Sequence, residues 1–175
     1  MANDIWVISD THFGHGNIIK YCDRPFNDVF EMNEKILDNW NESIKPSDKV
    51  YHLGDVYFGG GLGPEYWDSF LSRLNGNKRL VLGNHDNGKD QRLLKMFQKI
   101  MMWRMFPEWG LLLTHVPVHW STLNEVKDKR KDLTNVHGHT HNNGEPSDHQ
   151  KKYKCVCVEL TDYKPVHIEE LRTRS

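Results

Sequence analysis

The sequence predicts an α/β fold in which helices pack outside a central pair of sheets. Up to residue 100, short apolar runs typical of buried strands alternate with amphipathic helical patterns, and strand patterns dominate afterwards. The second observation is that five of the apolar runs end in Asp, Asn or His. If these runs are neighbouring strands, their polar ends meet at one sheet edge and provide oxygen and nitrogen ligands for metal ions.

Length and composition narrow the class of protein. A chain of 175 residues is large enough to bury a core and predicts a single domain over residues 1–175. The formal net charge of -1 provides no overall basic field for binding nucleic acid. Three cysteines argue against a disulfide scaffold, while 11 histidines are a compositional hint of a metal site.

No apolar run approaches the roughly 20 residues that a membrane-spanning helix needs, and the N-terminus has no basic leader or signal segment. We therefore expect a cytoplasmic protein that does not associate with membranes. Cys155 and Cys157 are two residues apart in an apolar segment, where small buried side chains are a better interpretation than a zinc knuckle.

The elements of the first half follow from periodicity and from helix start signals. Apolar runs predict strands at 5–9, 50–53 and 80–82. A helix is expected after Asp28, which has capping-box spacing to Glu31 and precedes an apolar stripe at Met32, Ile36, Leu37 and Trp40. A second helix is expected from Pro64, and a third carries Leu93, Leu94, Phe97 and Ile100.

The second half is predicted to be rich in strands. Expected strands cover 102–106, 109–113, 153–160 and 166–171, and 146–148 is a turn between strands. Residues 127–132 form a mixed charge run, interpreted as a solvated helix or loop or as a basic contact for an anionic substrate.

Five motifs in order carry a family resemblance. They are Asp10-Thr11-His12, Gly54-Asp55, Gly83-Asn84-His85-Asp86, His115 and Gly138-His139-Thr140-His141. This set resembles the calcineurin-like metallophosphoesterase superfamily, in particular its small bacterial and phage-type members without a cap domain. The resemblance implies a four-layer α/β/β/α sandwich of two mixed sheets flanked by helices.

The resemblance also implies roles for individual residues. One metal ion would be held by Asp10, His12, Asp55 and His141, and a second by Asp55, Asn84, His115 and His139, so that Asp55 bridges them. His85 would protonate the leaving oxygen or stabilise the phosphoryl charge, with Asp86 orienting its ring. Two divalent ions are expected, with Mn²⁺ preferred over Fe, Zn²⁺, Ni²⁺ or Co²⁺.

Further residues near the motifs are candidate substrate contacts. His15, Asn17, Arg24 and Asn33 are assigned this role, although Arg24 is also consistent with a structural salt bridge and Asn33 with a solvent-facing position. His52 and His137 lie inside apolar runs, where histidines with satisfied hydrogen bonds are expected.

The resemblance implies hydrolysis of phosphodiester bonds, and of some monoesters, by attack of a metal-bound hydroxide. Alternatives are a nucleotide phosphomonoesterase, a nuclease, or a non-catalytic metal-binding scaffold. The expected partner is a nucleotide-like phosphoester. The sequence does not determine the oligomeric state, and Trp103, Trp109 and Trp120 are candidate interface residues if the protein forms a homo-oligomer.

Overall fold

The computed structural model describes residues 3–59, 61–124, 133–144 and 150–172. The mixed charge run at 127–132 and the turn expected at 146–148 lie outside these residues. Within the described part of the chain, no helix is long and apolar enough to cross a membrane.

Nine strands of the described chain form two sheets. Their bounds are β1 Ile5–Ile8, β2 Lys49–His52, β3 Asn77–Val81, β4 Lys99–Met101, β5 Trp103–Phe106, β6 Leu111–Thr114, β7 Thr134–His137, β8 Tyr153–Cys155 and β9 Val166–His167. The first sheet has the order β4-β3-β2-β1-β9 and the second the order β5-β6-β7-β8. Each sheet combines three or four parallel strands with one antiparallel edge strand, β9 or β5, so both are mixed.

The helices are α1 Gly16–Tyr21, α2 Val29–Ser43, α3 Pro64–Ser72, α4 Gln91–Met96 and α5 Ile168–Leu171. Helix α2 begins where predicted, because the Asp28 carboxylate accepts hydrogen bonds from the amides of Phe30 and Glu31 at 2.8 and 2.9 Å. Helix α3 begins at Pro64, a residue suited to the first turn because it has no amide hydrogen to satisfy.

Alternate residues of the first sheet face two different apolar layers. Ile8 and Val50 pack in a cluster with Ile36 and Trp40 of α2. The neighbouring Val7 and Tyr51 pack instead against second-sheet residues, including Leu111, Leu113 and Val136. This period of two, which the pleat of a strand imposes, places helices outside the first sheet and the second sheet on its inner face.

The outer face of the second sheet is also covered. Leu112 and Tyr153 pack there with Leu133 and with Leu123, which belongs to the 3-10 helix Trp120–Asn124. The predicted sandwich of two mixed sheets with flanking helices is therefore confirmed.

Strand register aligns the ends that carry the motifs. Ile8 of β1 pairs with His52 of β2, which pairs with Leu80 of β3, and all three strands are parallel. In the second sheet, Leu113 of β6 pairs in parallel with Val136 of β7. The loops that follow these strands consequently emerge at the same edge of each sheet.

Three predicted elements are shorter than expected. Helix α4 ends at Met96, and Ile100 lies in β4. The strand expected at 153–160 ends at Cys155 and is followed by the 3-10 helix Val158–Leu160, whereas the one expected at 166–171 ends at His167 and continues as α5. The apolar spacing of these segments fits both a strand and a helix, so a helix start signal decides between the two. For α5 that signal is the His167 side chain, which accepts a hydrogen bond from the amide of Glu169.

Candidate metal centre

The loops after the aligned strands bring two groups of ligand side chains together. Asp10, His12 and His141 offer ligand atoms within 4.8 Å of one another, and so do Asp55, His115 and His139. Each group draws residues from both sheets, because His115, His139 and His141 follow strands of the second sheet. The centre therefore lies where the edges of the two sheets meet.

The Asp10 carboxylate is held by one oxygen and presents the other to the centre. Its Oδ2 atom accepts hydrogen bonds from the Ser9 hydroxyl, from the His139 amide at 2.9 Å and from the Cys157 thiol at 3.2 Å. Its Oδ1 atom is buried without a hydrogen-bond partner among the described residues. That oxygen lies 3.7 Å from His141 Nε2 and 3.9 Å from His12 Nε2. Buried polar atoms are rarely left unpaired, so this arrangement fits a bound cation.

The tautomer of His115 follows from its main-chain contact. Its Nδ1 lies 2.7 Å from the Leu53 carbonyl oxygen, which can only accept, so Nδ1 carries the proton. Nε2 then presents a lone pair and lies 2.8 Å from Asn84 Oδ1, which is also an acceptor. Two acceptors this close repel each other unless a cation lies against both, which again fits a metal ion.

Asp55 connects the two groups. Its Oδ2 atom lies 3.5 Å from His12 Nε2 and 3.5 Å from His115 Nε2. Its Oδ1 atom accepts a hydrogen bond from the His85 amide at 2.9 Å, which fixes the orientation of the carboxylate. Among the described residues, the donor set consists of imidazoles, carboxylates and an amide oxygen, as divalent Mn, Fe, Zn, Ni and Co ions accept.

The protein environment keeps two of the candidate ligand imidazoles, His12 and His139, neutral. Burial, followed by the nearby charge of Arg24, lowers the pKa of His12 to about 2. Burial and the neighbouring His115 also lower the pKa of His139. A neutral ring retains the lone pair that metal binding requires.

Glu159 orients His141 and is a functional residue that the sequence analysis did not identify. His141 Nδ1 lies 2.9 Å from Glu159 Oε1, so Nε2 faces Asp10. Burial lowers the pKa of His141, but the hydrogen bond and charge of Glu159 outweigh it, and the net pKa is raised. A carboxylate behind a metal-binding histidine is a common supporting contact, but a lone Glu in the sequence carries no signal of it.

The backbone of the centre is unusual. Asp10, His12, Asp55, His139 and His141 all have positive φ, between 49° and 67°. Such left-handed residues are uncommon outside glycine and concentrate at functional sites. Close approach adds a second constraint: a β-carbon on Gly138 would overlap the Ser9 hydroxyl and the Asp10 carboxylate, and one on Gly83 would overlap Asp55.

Two further predicted residues, His85 and His15, lie beside the centre, and a third, Asn17, follows in α1. The ring of His85 is exposed, and its centroid lies 5.6 Å from that of His12. The ring centroid of His15 lies 5.4 Å from that of His12, and His15 stacks on Phe58 at 4.7 Å. Asn17 is exposed in the first turn of α1.

Three other residues make contacts that differ from those expected. Asp86 accepts from the amides of Gly83, Asp55 and Val56 at 2.9 to 3.0 Å, so its carboxylate holds these two loops together instead of orienting the His85 ring. Asn33 is buried, accepts from the Gly14 amide and donates to the Tyr66 hydroxyl. Its amide supports the loop after β1.

Arg24 also has a structural role in place of the expected anion contact. Its side chain is buried and donates to Glu159 at 2.6 and 2.9 Å and to the carbonyl oxygens of Asp10 and Thr11 at 2.8 and 3.0 Å. These bonds occupy the guanidinium fork, so the salt-bridge interpretation is correct.

The family model described as calcineurin-like phosphoesterase matches residues 4–165. The chain belongs to this family. The predicted resemblance is thereby confirmed, since the match spans every motif from Asp10 to His141. Proteins of the family are in general metal-dependent phosphoesterases, and the two His and Asp groups are suited to hold metal ions.

Similar proteins extend the comparison. An uncharacterized protein of Methanocaldococcus jannaschii is 35% identical over 170 residues, covering 94% of this chain and 87% of that protein. The Gene 66 protein of Mycobacterium phage L5 is 27% identical over 169 residues, covering 79% of this chain and 78% of that protein. The crystal structure of a protein of unknown function from Aquifex aeolicus superposes with a TM-score of 0.75 at 31% identity, covering 97% of this chain and 98% of that one.

Proposed function

We propose that this protein hydrolyses phosphodiester bonds at a centre of two divalent metal ions, Mn²⁺ being the expected ion. The observation that carries the proposal is the position of Asp55 Oδ2, which lies 3.5 Å from an imidazole nitrogen of each ligand group. A single carboxylate between two sets of metal ligands is the arrangement that a bridged pair of ions requires.

The residues divide between the two ions as the family pattern implies. Asp10, His12, Asp55 and His141 would hold one, and Asp55, Asn84, His115 and His139 the other. When bound, the ions supply a water acidified enough to act as a nucleophile at neutral pH, and they neutralise charge on the phosphoryl oxygens. Supporting contacts from Glu159, Ser9 and Leu53 hold the ligand atoms in orientation.

His85 is the proposed proton donor to the leaving oxygen. It is exposed beside the centre, its ring lies next to that of His12 in the first ligand group, and its amide is hydrogen-bonded to Asp55. General acid catalysis matters most for esters with a poor leaving group, which favours diester cleavage. His15, whose ring lies beside that of His12, and Asn17 are proposed to contact the substrate phosphate.

The test is hydrolysis of bis-p-nitrophenyl phosphate by the purified protein, with Mn²⁺ compared against Fe²⁺, Zn²⁺, Ni²⁺ and Co²⁺. We expect Mn²⁺-dependent turnover that Asp55→Asn reduces by at least about a hundredfold, because the link between the ions is lost. His85→Ala should retain metal in calorimetric titration and slow diester cleavage by about a hundredfold. Metal binding to the folded protein without turnover of any phosphodiester or phosphomonoester would indicate a scaffold instead.

The same assay separates the alternatives. Turnover of p-nitrophenyl phosphate exceeding that of the diester would identify a monoesterase, and degradation of single-stranded DNA or RNA would identify a nuclease. A panel of mononucleotides, cyclic nucleotides and dinucleotides then ranks nucleotide-like substrates.

A further inference from the structure

An apolar cleft opens directly beside the candidate metal centre. It has a volume of about 530 Å³, within the range of about 300–1,000 Å³ typical of small-molecule sites. Its walls come from the edge of the second sheet and from the loops after β3 and β6, and its apolar lining includes Leu82, Met102, Trp103, Met105, Leu112 and Val116.

The cleft is chemically different from the centre it adjoins. Of the described residues, its lining includes no Asp, Glu, Lys or Arg. At its mouth, Met102 and Trp103 expose 68% and 58% of their surface. Large apolar side chains clustered on a surface usually mark a place where another molecule binds.

The cleft and the centre share residues. Asn84 and His115 belong to the second ligand group, and both also line the cleft. His12 and His141, from the first ligand group, are not part of this lining. A phosphoester whose phosphate occupies the centre therefore has an apolar chamber next to the second ligand group.

We propose that this cleft binds the organic substituent of the substrate and selects phosphoesters that carry an uncharged, apolar group of ring size. The proposal rests on the proposed function and specifies its substrate class. Trp103 provides a flat indole surface against which a ring can stack, and the remaining walls exclude water from it. Among the described lining residues there is no cation to pair with a second phosphate, so this part of the cleft favours an uncharged substituent over a nucleic acid strand or a polyphosphate.

The test measures binding of two phosphonates that cannot be hydrolysed, methylphosphonate and 1-naphthylphosphonate, by calorimetry on the Mn²⁺-loaded protein. The two share the charged head group and differ in the apolar substituent. We expect the naphthyl compound to bind at least about tenfold more tightly, because burying the ring removes apolar surface from water.

Substitutions at Trp103 test whether the cleft accounts for the tighter binding of the naphthyl compound. Trp103→Ala should abolish most of the tenfold preference and leave methylphosphonate affinity unchanged, whereas Trp103→Phe, which keeps a ring, should retain most of it. Phe30→Ala is the matched control, because Phe30 is an aromatic residue of α2 with 52% exposure that does not line the cleft. Because Trp103 is largely exposed, Trp103→Ala should fold normally, and a circular dichroism spectrum like that of the wild type would verify this.

Equal affinity of the wild type for the two phosphonates would overturn the proposal. So would a preference for the naphthyl compound that persists in Trp103→Ala, or one that disappears in Phe30→Ala. A wild-type dimer that Trp103→Ala dissociates, without any naphthyl preference, would instead assign the cleft to an interface between copies. These outcomes are independent of turnover. A protein that binds the naphthyl compound selectively but hydrolyses no diester would refute the proposed function and retain the cleft as a binding site.

Discussion

Gly138 illustrates how single residues shape the centre. Because a β-carbon at this position would overlap the Ser9 hydroxyl and the Asp10 carboxylate, Gly138→Ala must displace Asp10. We expect the variant to lose about 1–3 kcal/mol of unfolding free energy, the usual cost of overpacking, and to bind Mn²⁺ at least about tenfold more weakly. Urea denaturation and calorimetric titration measure the two effects.

Gly16→Ala is the matched control, since nothing lies within 4 Å of a β-carbon at Gly16. It should leave Mn²⁺ affinity unchanged. Equal losses of Mn²⁺ affinity in Gly138→Ala and Gly16→Ala would show that the close contact of Gly138 with Ser9 and Asp10 is not needed for metal binding.

His52 gives the fold a specific dependence on pH. Its buried ring accepts from the Gly54 amide at 3.2 Å and lies 3.0 Å from the Thr11 hydroxyl. Burial, and then the neighbouring His115, lower the pKa of His52 from 6.5 to about 3. The unfolded chain therefore takes up a proton below about pH 6.5 that the folded chain refuses until about pH 3, so stability falls as the pH falls through this window.

We expect His52→Gln to reduce the slope of unfolding free energy against pH by up to about 1.4 kcal/mol per unit between pH 6 and 4. Urea denaturation at a series of pH values measures the slope. Leu37→Ala, at a buried position without a titrating group, should lower stability evenly across the series. An unchanged slope in His52→Gln would show that His52 does not titrate differently on folding.

The candidate ligand residues could be picked out from the sequence because each lies in a loop that follows a strand, and the structure brings them into two groups. The contacts of Arg24, Asn33 and Asp86 could not be predicted in this way, because their partners are determined by tertiary packing. Arg24 pairs with Glu159, 135 positions away, and Asn33 with Gly14, 19 positions away. No local pattern distinguishes such contacts from the exposed polar roles that were expected.

At the scale of elements, helix α2 depends on its N-cap residue, Asp28. The Asp28 carboxylate satisfies two amides that would otherwise lack partners at the helix start. Asp28→Ala should cost about 1 kcal/mol of unfolding free energy in urea denaturation, and Asp28→Ser should restore most of it. The same loss in both variants would indicate that the carboxylate contributes through its charge and not as a hydrogen-bond cap.

Element boundaries were predictable where a start signal was present. Asp28 and Pro64 marked α2 and α3 correctly. Helix α1 was not predicted, since its N-cap residue His15 makes no side-chain capping bond and only Ile18 of its residues is buried. With six residues and a single buried position, α1 has no periodic pattern to detect.

At the scale of the whole molecule, the buried pair Arg24 and Glu159 connects the segment after α1 to the C-terminal part of the chain. Arg24→Met removes one partner and leaves the Glu159 carboxylate buried without its cation. We expect a loss of about 3–5 kcal/mol of unfolding free energy, measured by urea denaturation. The pair Arg73 and Glu34, with both side chains nearly half exposed, is the control, and Arg73→Met should cost no more than about 1 kcal/mol because solvent screens that pair.

The layered architecture was predictable because it follows from motif order and from the alternation of element types. Register between strands was not predictable from one sequence, although it decides which loops meet. The pairing of Ile8 with His52 and of His52 with Leu80 aligns the first three motif loops, and this alignment is determined by apolar contacts across the sheet.

The division of the ligands between two sheets has a consequence for biosynthesis. As the chain leaves the ribosome, Asp10, His12, Asp55 and Asn84 emerge well before His115, His139 and His141. A nascent chain ending before position 115 thus carries the acidic and amide oxygens and His12 but lacks the three later imidazoles of the two candidate ligand groups. If these groups hold metal ions as proposed, neither is complete until synthesis has passed the second sheet.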